Sequence, residues 1–252
     1  MSKKVCVCIP HGGAVHPELY RGLFQMQNAL GPKGYQFAYT EVDMASIAKA
    51  RNMSVQACVD GNFDYVHFLD DDVILPENVA QLYDTDADVI SGLYFARQWP
   101  HTPQMYTKAD AEKHPEQAGK YWPVLEYNPG IMEVDAAGAG CLLIKVSVLR
   151  RMREVWEKKL VEVADFVSEH RNDMPGYFAA MGMKLSPWFE FTDERGEDFY
   201  FCERAREAGY RVLVDTNVKC GHLTWLKLTE EHYKELFNRG VIKFGEGHEE
   251  GE

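Results

Sequence analysis

Asp64-Tyr65-Val66-His67-Phe68-Leu69-Asp70-Asp71-Asp72-Val73 is the stretch from which the fold is read. A short apolar run, Asp64 to Leu69, has the length and composition of a buried strand. It runs straight into three carboxylates. In open α/β sheets ligands bind off the carboxyl ends of the strands, so acids at that point are either a turn or a site. Upstream, Val5 to Pro10 reads as a first strand, followed by a turn at Gly12-Gly13. His16 to Leu30 is helix-like and is stopped by Gly31-Pro32. Tyr35 to Val42 is the next strand. Met44, Ile47, Ala48, Val55, Cys58 and Val59 then fall at helical spacing, with Gly61 closing that helix. This alternation predicts an α/β fold with a mainly parallel, Rossmann-like sheet flanked by helices.

Downstream the regularity fades. Pro76 stands where a short helix would open, and Asp88 to Phe95 reads as a strand. Between Arg97 and Tyr121 no periodicity survives, which predicts a long loop. Cys141 to Val146 is a strand, with Ser147 expected to cap a helix through Leu160. Asp173 to Pro187 is irregular. Glu197 to Ala208 is a helix closed by Gly209, followed by strands at Tyr210 to Asp215 and Val218 to Leu223. Thr229 would cap a last helix ending at Gly240. The sheet should therefore become mixed in its second half. Residues 1–240 are expected to form one domain, and 241–252 a mobile acidic tail.

Composition removes several classes. The 252 residues are 46% hydrophobic and 26% charged, ordinary globular values. No apolar run approaches the ~18 residues of a membrane helix. The five apolar positions before Pro10 are too few for a signal peptide. Net charge is -12, which disfavours tight duplex DNA binding, a process driven by phosphate neutralisation. The six cysteines contain no Cys-x-x-Cys, so they read as buried thiols in a reducing cytoplasm. Cys6 and Cys8, two apart in a strand, should point the same way.

Five groups of residues could carry chemistry. Asp70, Asp71 and Asp72 repel one another unless a cation sits among them. Their hard oxygens suit Mg²⁺ or Mn²⁺. The bland alternative is an acidic turn in which Asp72 caps the next helix. Glu197 and Asp198, after Arg195-Gly196, open an amphipathic helix; acids there are favoured by the helix dipole in any case, but one could also act as a general base. His222 follows Gly221 near a strand end and could ligate Mn²⁺. Gly138 and Gly140 precede an apolar strand and allow close backbone approach. Arg51 and Asn52 lie on the helix before the acidic strand.

Singly these signals are modest. Their order is informative: an Arg-Asn helix, a strand to Asp-x-Asp, a Gly-rich turn to a strand, a Gly-Glu-Asp helix, then Gly-His. That order, from Val5 to Leu223, resembles the glycosyltransferases of the GT-A fold, above all the large inverting family 2 with its many bacterial and phage members. The resemblance implies a nucleotide diphosphate sugar donor, a UDP-sugar first among them, with Mn²⁺ or Mg²⁺. It implies that Asp70 and Asp72 hold the metal together with His222. Pro10, His11, Arg51, Asp70, Asp71, Gly138 and Gly140 would line the donor. Asp198 would be the base, with Glu197 orienting it. Apart from the resemblance, Trp188, Phe189 and Phe191 just upstream could desolvate Asp198, and Trp188 and Phe191 could face the acceptor, with core packing the equal alternative. The segment Thr40-Glu41-Val42-Asp43 departs from the family's base-reading turn, leaving only Glu41 or Asp43 to read the base. The acceptor stays open among glycan, protein, small molecule and modified nucleobase. A sugar-phosphate nucleotidylyltransferase is the alternative enzyme, although His11-Gly12-Gly13-Ala14 does not match its Arg-containing loop. An inactive nucleotide-sugar-binding module is the non-enzymatic alternative.

Overall fold

A computed structural model describes residues 2–224, apart from 14, 44, 45, 111, 114, 118, 170–185, 193 and 194, and also Lys234. The expected last helix and the acidic tail therefore lie outside the described residues, save Lys234. So do Met44 and most of the segment from Asp173 to Pro187.

The first half follows the sequence. Strand β1 (Lys3–His11) leads to helix α1 (Pro17–Leu30), strand β2 (Tyr35–Asp43), helix α2 (Ile47–Asp60) and strand β3 (Tyr65–Leu69). Pro17 sits at the start of α1, where its missing N–H costs nothing, and the His16 ring accepts from Glu18 N. Strand β1 pairs in parallel with both β2 and β3. Successive residues of β1 face opposite layers. Val5, Val7 and Ile9 pack with Leu19, Leu23 and Met26 of α1. Cys6 and Cys8 pack on the other side, with Val55 and Cys58 of α2. The two cysteines do share a face.

The second half departs from simple alternation. Strands β4 (Val73–Ile74), β5 (Val89–Leu93), β6 (Met105–Lys108), β7 (Tyr121–Pro123), β8 (Ile131–Val134), β9 (Ala136–Ala137) and β10 (Cys141–Lys145) precede helix α3 (Val146–Glu169) and helix α4 (Glu197–Glu207). Strands β11 (Val212–Lys219) and β12 (Gly221–His222) follow. The central sheet runs β2-β1-β3-β10-β5-β11-β8. Strand β10 lies antiparallel between β3 and β5, and β8 lies antiparallel on β11. The remaining strands share one direction, so the sheet is mainly parallel and mixed in its second half, as expected. Helices α3 and α4 cover the same face as α2.

Several local expectations fail for identifiable reasons. Ser147 does not cap α3, because the helix opens directly off β10 at Val146, whose N–H is taken by Asp64 O at 2.9 Å. Pro76 opens no α-helix; the chain forms a 3-10 turn at Val79–Asp84 instead. The aperiodic stretch from Arg97 to Tyr121 contains β6, which joins β7 and β9 in a separate three-stranded sheet. Strand β6 is too short for its pattern to be visible. The two last strands expected between Tyr210 and Leu223 divide elsewhere: β11 continues to Lys219 through a register shift after Asp215. No described helix is long and apolar enough to cross a membrane.

Candidate functional site

The parallel trio β2-β1-β3 brings its carboxyl ends side by side. His11 is in register with Asp43, and the Asp70-Asp71-Asp72 turn follows β3 directly. A cleft of about 370 Å³ opens there, lined by Pro10, His11, Val42, Ile47, all three aspartates, Arg97 and Phe191 among others. A second cleft of about 740 Å³ shares Asp71, Asp72 and Arg97 and is walled by Val15, His16, Gln98 and Leu223. The acid triplet is the partition between the two.

Each aspartate has its own surroundings. Asp70 donates its N–H to Gly140 O at 3.0 Å and accepts from the Arg51 guanidinium at 2.7 Å. Asp71 accepts from Gly12 N at 3.4 Å. Burial, then Asp72 and Asp70, push its carboxyl above the ordinary value. Asp72 meets Arg97 at 2.5 Å and His222 Nε2 at 3.2 Å. Burial raises the Asp72 carboxyl, but His222 and Arg97 outweigh it and leave it below the ordinary value. Asp72 therefore caps no helix.

His222 reaches Asp72 by a local ladder. Strand β12 pairs with β4, setting His222 opposite Val73, and Leu223 N donates to Asp72 O at 2.9 Å. His222 Nδ1 lies 2.7 Å from Phe95 O, an atom that only accepts. Nδ1 must therefore carry the proton. In the neutral ring Nε2 then points a lone pair at a carboxylate oxygen. That contact is unfavourable unless the ring is protonated or a cation lies between them. Burial lowers the His222 pKa, while the hydrogen bonds to Asp72 and Phe95 raise it further than burial takes away. Asp72 and His222 are thus adjacent oxygen and nitrogen donors of the type Mn²⁺ accepts, while one Asp70 oxygen is taken by Arg51.

Arg51 is placed differently from its expected donor-facing role. It is 2% exposed, and its guanidinium is shared between Asp70 and Glu197. Its Nε has no partner. The rings of Phe68 and Phe189 flank it at 5.9 and 5.8 Å. A buried cation shared between two anions across α2, β3 and α4 is a fastener. Next to it, Asn52 accepts from Phe189 N at 3.1 Å and Ser186 Oγ at 2.9 Å, and donates to Phe189 O at 2.7 Å. The pair Arg51-Asn52 thus ties α2 to the chain that leads into α4.

Gly138 and Gly140 are buried, and they do not offer a surface to a ligand. A Cβ on Gly138 would lie 2.1 Å from Tyr94 Oη, and one on Gly140 would lie 3.1 Å from an Asp70 oxygen. The glycines admit Tyr94, whose hydroxyl accepts from Gly140 N at 2.9 Å and whose ring meets His222 edge-on at 5.4 Å. Trp188 takes the core alternative and does not face an acceptor. It is 4% exposed, and its indole N–H donates to Leu149 O at 2.9 Å. It belongs to the core beneath α3. Phe191 is half-exposed and does line the first cleft.

Glu197 is buried against Arg51, and Asp198 accepts from Phe199 N at 2.8 Å. Burial, then Glu197, raises the Asp198 carboxyl to about 6, with Arg51 opposing. Tyr94 and Tyr106 both feel its charge. The reading of the sequence missed Tyr94, Arg97 and the Phe95 carbonyl. Only Arg97 carried a signal, as the first residue of the aperiodic segment.

No family model and no curated protein matches this sequence. Among solved structures, the A197 protein from STIV aligns at TM-score 0.49 and 16% identity, covering 88% of this chain and 86% of that one. A Drosophila β-1,4-galactosyltransferase 7 in complex with manganese, UDP-Gal and xylobiose aligns at TM-score 0.46 and 16% identity, covering 92% and 74%. An apo UDP-glucose pyrophosphorylase aligns at TM-score 0.44 and 9% identity, covering 96% and 98%. Likenesses this distant say nothing about chemistry; that has to come from the cleft.

Proposed function

We propose that the cleft at the ends of β1, β2 and β3 binds a nucleotide diphosphate sugar with a divalent cation, and that the protein is an inverting glycosyltransferase. The observation that carries the reading is convergence. His222 after β11 contacts Asp72, and Glu197 at the start of α4 shares Arg51 with Asp70, so residues far apart in the chain are tied to the acid triplet that lines the cleft. A merely acidic turn has no reason to gather the other two.

In this reading Asp70, Asp72 and His222 hold the cation, which when bound would supply charge neutralisation for the diphosphate leaving group. Pro10, His11 and Val42 wall the first cleft; Glu41 and Asp43, which flank Val42 at the end of β2, are the acids proposed to read the base. Asp71 screens the cleft from the second pocket. Asp198 takes the proton from the acceptor hydroxyl as that oxygen attacks the anomeric carbon. A carboxyl held near 6 is ionised at neutral pH yet more basic than an ordinary aspartate, which suits a general base. Glu197, locked on Arg51, fixes the helix start that carries Asp198. Phe191 offers its exposed ring at the mouth of the cleft, where a sugar or base face could stack.

The test is calorimetric titration of nucleoside diphosphates with Mn²⁺ and with chelator, on wild type and Asp72→Ala, together with nucleotide release from UDP-sugars. Metal-dependent binding of one nucleotide, lost in Asp72→Ala, is expected. Binding that ignores the metal would overturn the donor site. Metal-dependent binding of a UDP-sugar with formation of a nucleoside triphosphate from added diphosphate would transfer the reading to a nucleotidylyltransferase. Binding without any turnover would leave an inactive module.

A further inference from the structure

Across the sheet layer from this chemistry, three thiols converge. Cys6 and Cys8 project from β1 toward α2, and Cys58 comes down from α2 onto them. Their sulfurs all lie within 4.8 Å of one another. Same-face residues two apart on a strand start roughly 6.6 Å apart at the backbone, yet Cys6 Sγ and Cys8 Sγ are 3.6 Å apart. The two side chains therefore lean toward each other, and Cys58 closes the triangle. Metal–thiolate bonds of about 2.3 Å place sulfurs about 3.8 to 4.0 Å apart around one ion. The Cys6–Cys8 separation is within a few tenths of an ångström of that spacing, and the Cys58 sulfur lies within 4.8 Å of both.

We propose that Cys6, Cys8 and Cys58 form a three-sulfur binding site for a soft monovalent cation of the Cu(I) class. Three converging sulfurs with no fourth side-chain ligand among the described residues suit a soft cation content with three donors. Structural zinc takes four. Binding is balanced as one Cu⁺ displacing three thiol protons, which leave to solvent, because the thiolate and not the thiol is the metal ligand. No electron is transferred. The burial of Cys6, Cys8 and Cys58, at 4%, 0% and 0% exposure, keeps water and oxidants from the bound ion. Thr40, on the edge strand β2, places its hydroxyl 3.7 Å from Cys6 Sγ. This inference does not rest on the transferase reading.

The experiment is an anaerobic titration of the reduced full chain with Cu(I) against a chromophoric Cu(I) chelator, with X-ray absorption on the loaded wild type. One Cu(I) per chain with a shell of three sulfurs is expected. Cys58→Ser should weaken binding more than about a hundredfold, the upper end of what losing an outer-shell partner costs a metal site. Cys220→Ser, which removes a thiol beside Cys141 on the other face, should change nothing. A shell of two sulfurs, failure to compete with the chelator, or binding abolished by Cys220→Ser would each overturn the proposal. The absorption measurement needs no variant, so a Cys58→Ser chain that fails to fold does not block the decision.

Discussion

Two arginines meet the same acid triplet, and they are not equivalent. Arg51 is 2% exposed and holds Asp70 and Glu197 at once; Arg97 has a side chain 57% exposed and holds Asp72 alone. In the interior a cation cannot be replaced by water, so the Arg51 pair is fixed by the cost of leaving either partner uncompensated. At the rim, water and salt compete, and an exposed pair is worth little. One end of the triplet is therefore framework and the other is exchangeable. On the proposed reading, a divalent ion held by Asp70, Asp72 and His222 would compete with the exposed Arg97 for Asp72, whereas Arg51 stays pinned by Glu197.

The comparison can be broken most directly at its buried end. Arg51→Ala should destabilise the fold by about 3–5 kcal/mol, since the buried Glu197 and the partly buried Asp70 both lose their counter-ion. Denaturant unfolding measures it, and a loss near that of a surface pair would mean that Asp70 and Glu197 find water. Asp198→Asn is next. Turnover should fall by about 10² to 10⁴, the range for a lost general base, while stability at neutral pH rises by about 1–2 kcal/mol. The sign follows from the raised carboxyl. The folded state binds the Asp198 proton more tightly than the unfolded state. Stability is thus fullest below the unfolded value near 3.8 and is lost as pH climbs toward about 6. Asparagine removes that dependence. An unchanged thermal midpoint at pH 7.5 would show that the carboxyl is not desolvated.

The wild type should show the same group kinetically. The rate should fall about tenfold per unit below pH 6, because the ionised form is the active one. A profile flat down to pH 4.5 would remove Asp198 from the role. The smallest effect belongs to the rim. Arg97→Ala should change stability by no more than about 1 kcal/mol and should tighten Mn²⁺ binding by removing a competitor. Weaker Mn²⁺ binding in calorimetry would make Arg97 a positioner of Asp72 instead.

How much of this was legible beforehand divides along similar lines. The helices α1 and α2 were visible because their apolar residues recur at helical spacing and glycines close them. The acid triplet was visible because it ends an apolar strand. Trp188 stayed open between acceptor and core, because an aromatic residue near a motif looks the same whether it faces a ligand or the core. Its indole bond to Leu149 O decides for the core, and that partner comes from helix α3. Gly138 and Gly140 announced a close approach without saying to what, and the answer is the Tyr94 hydroxyl rather than a sugar.

The sequence alone determined the layer structure, since strand alternation and helix periodicity are local properties set within a dozen residues. It also placed carboxylates at a strand's carboxyl end, which follows from chain order and strand direction. Only the tertiary structure decided that β10 enters the sheet antiparallel between β3 and β5, that Arg51 is inward, and that His222 aims at Asp72. Strand direction depends on how a connection closes, and the pairing of Arg51 with Glu197 spans 146 residues. No local pattern encodes such a contact, because its energy arises only when distant segments have together excluded water.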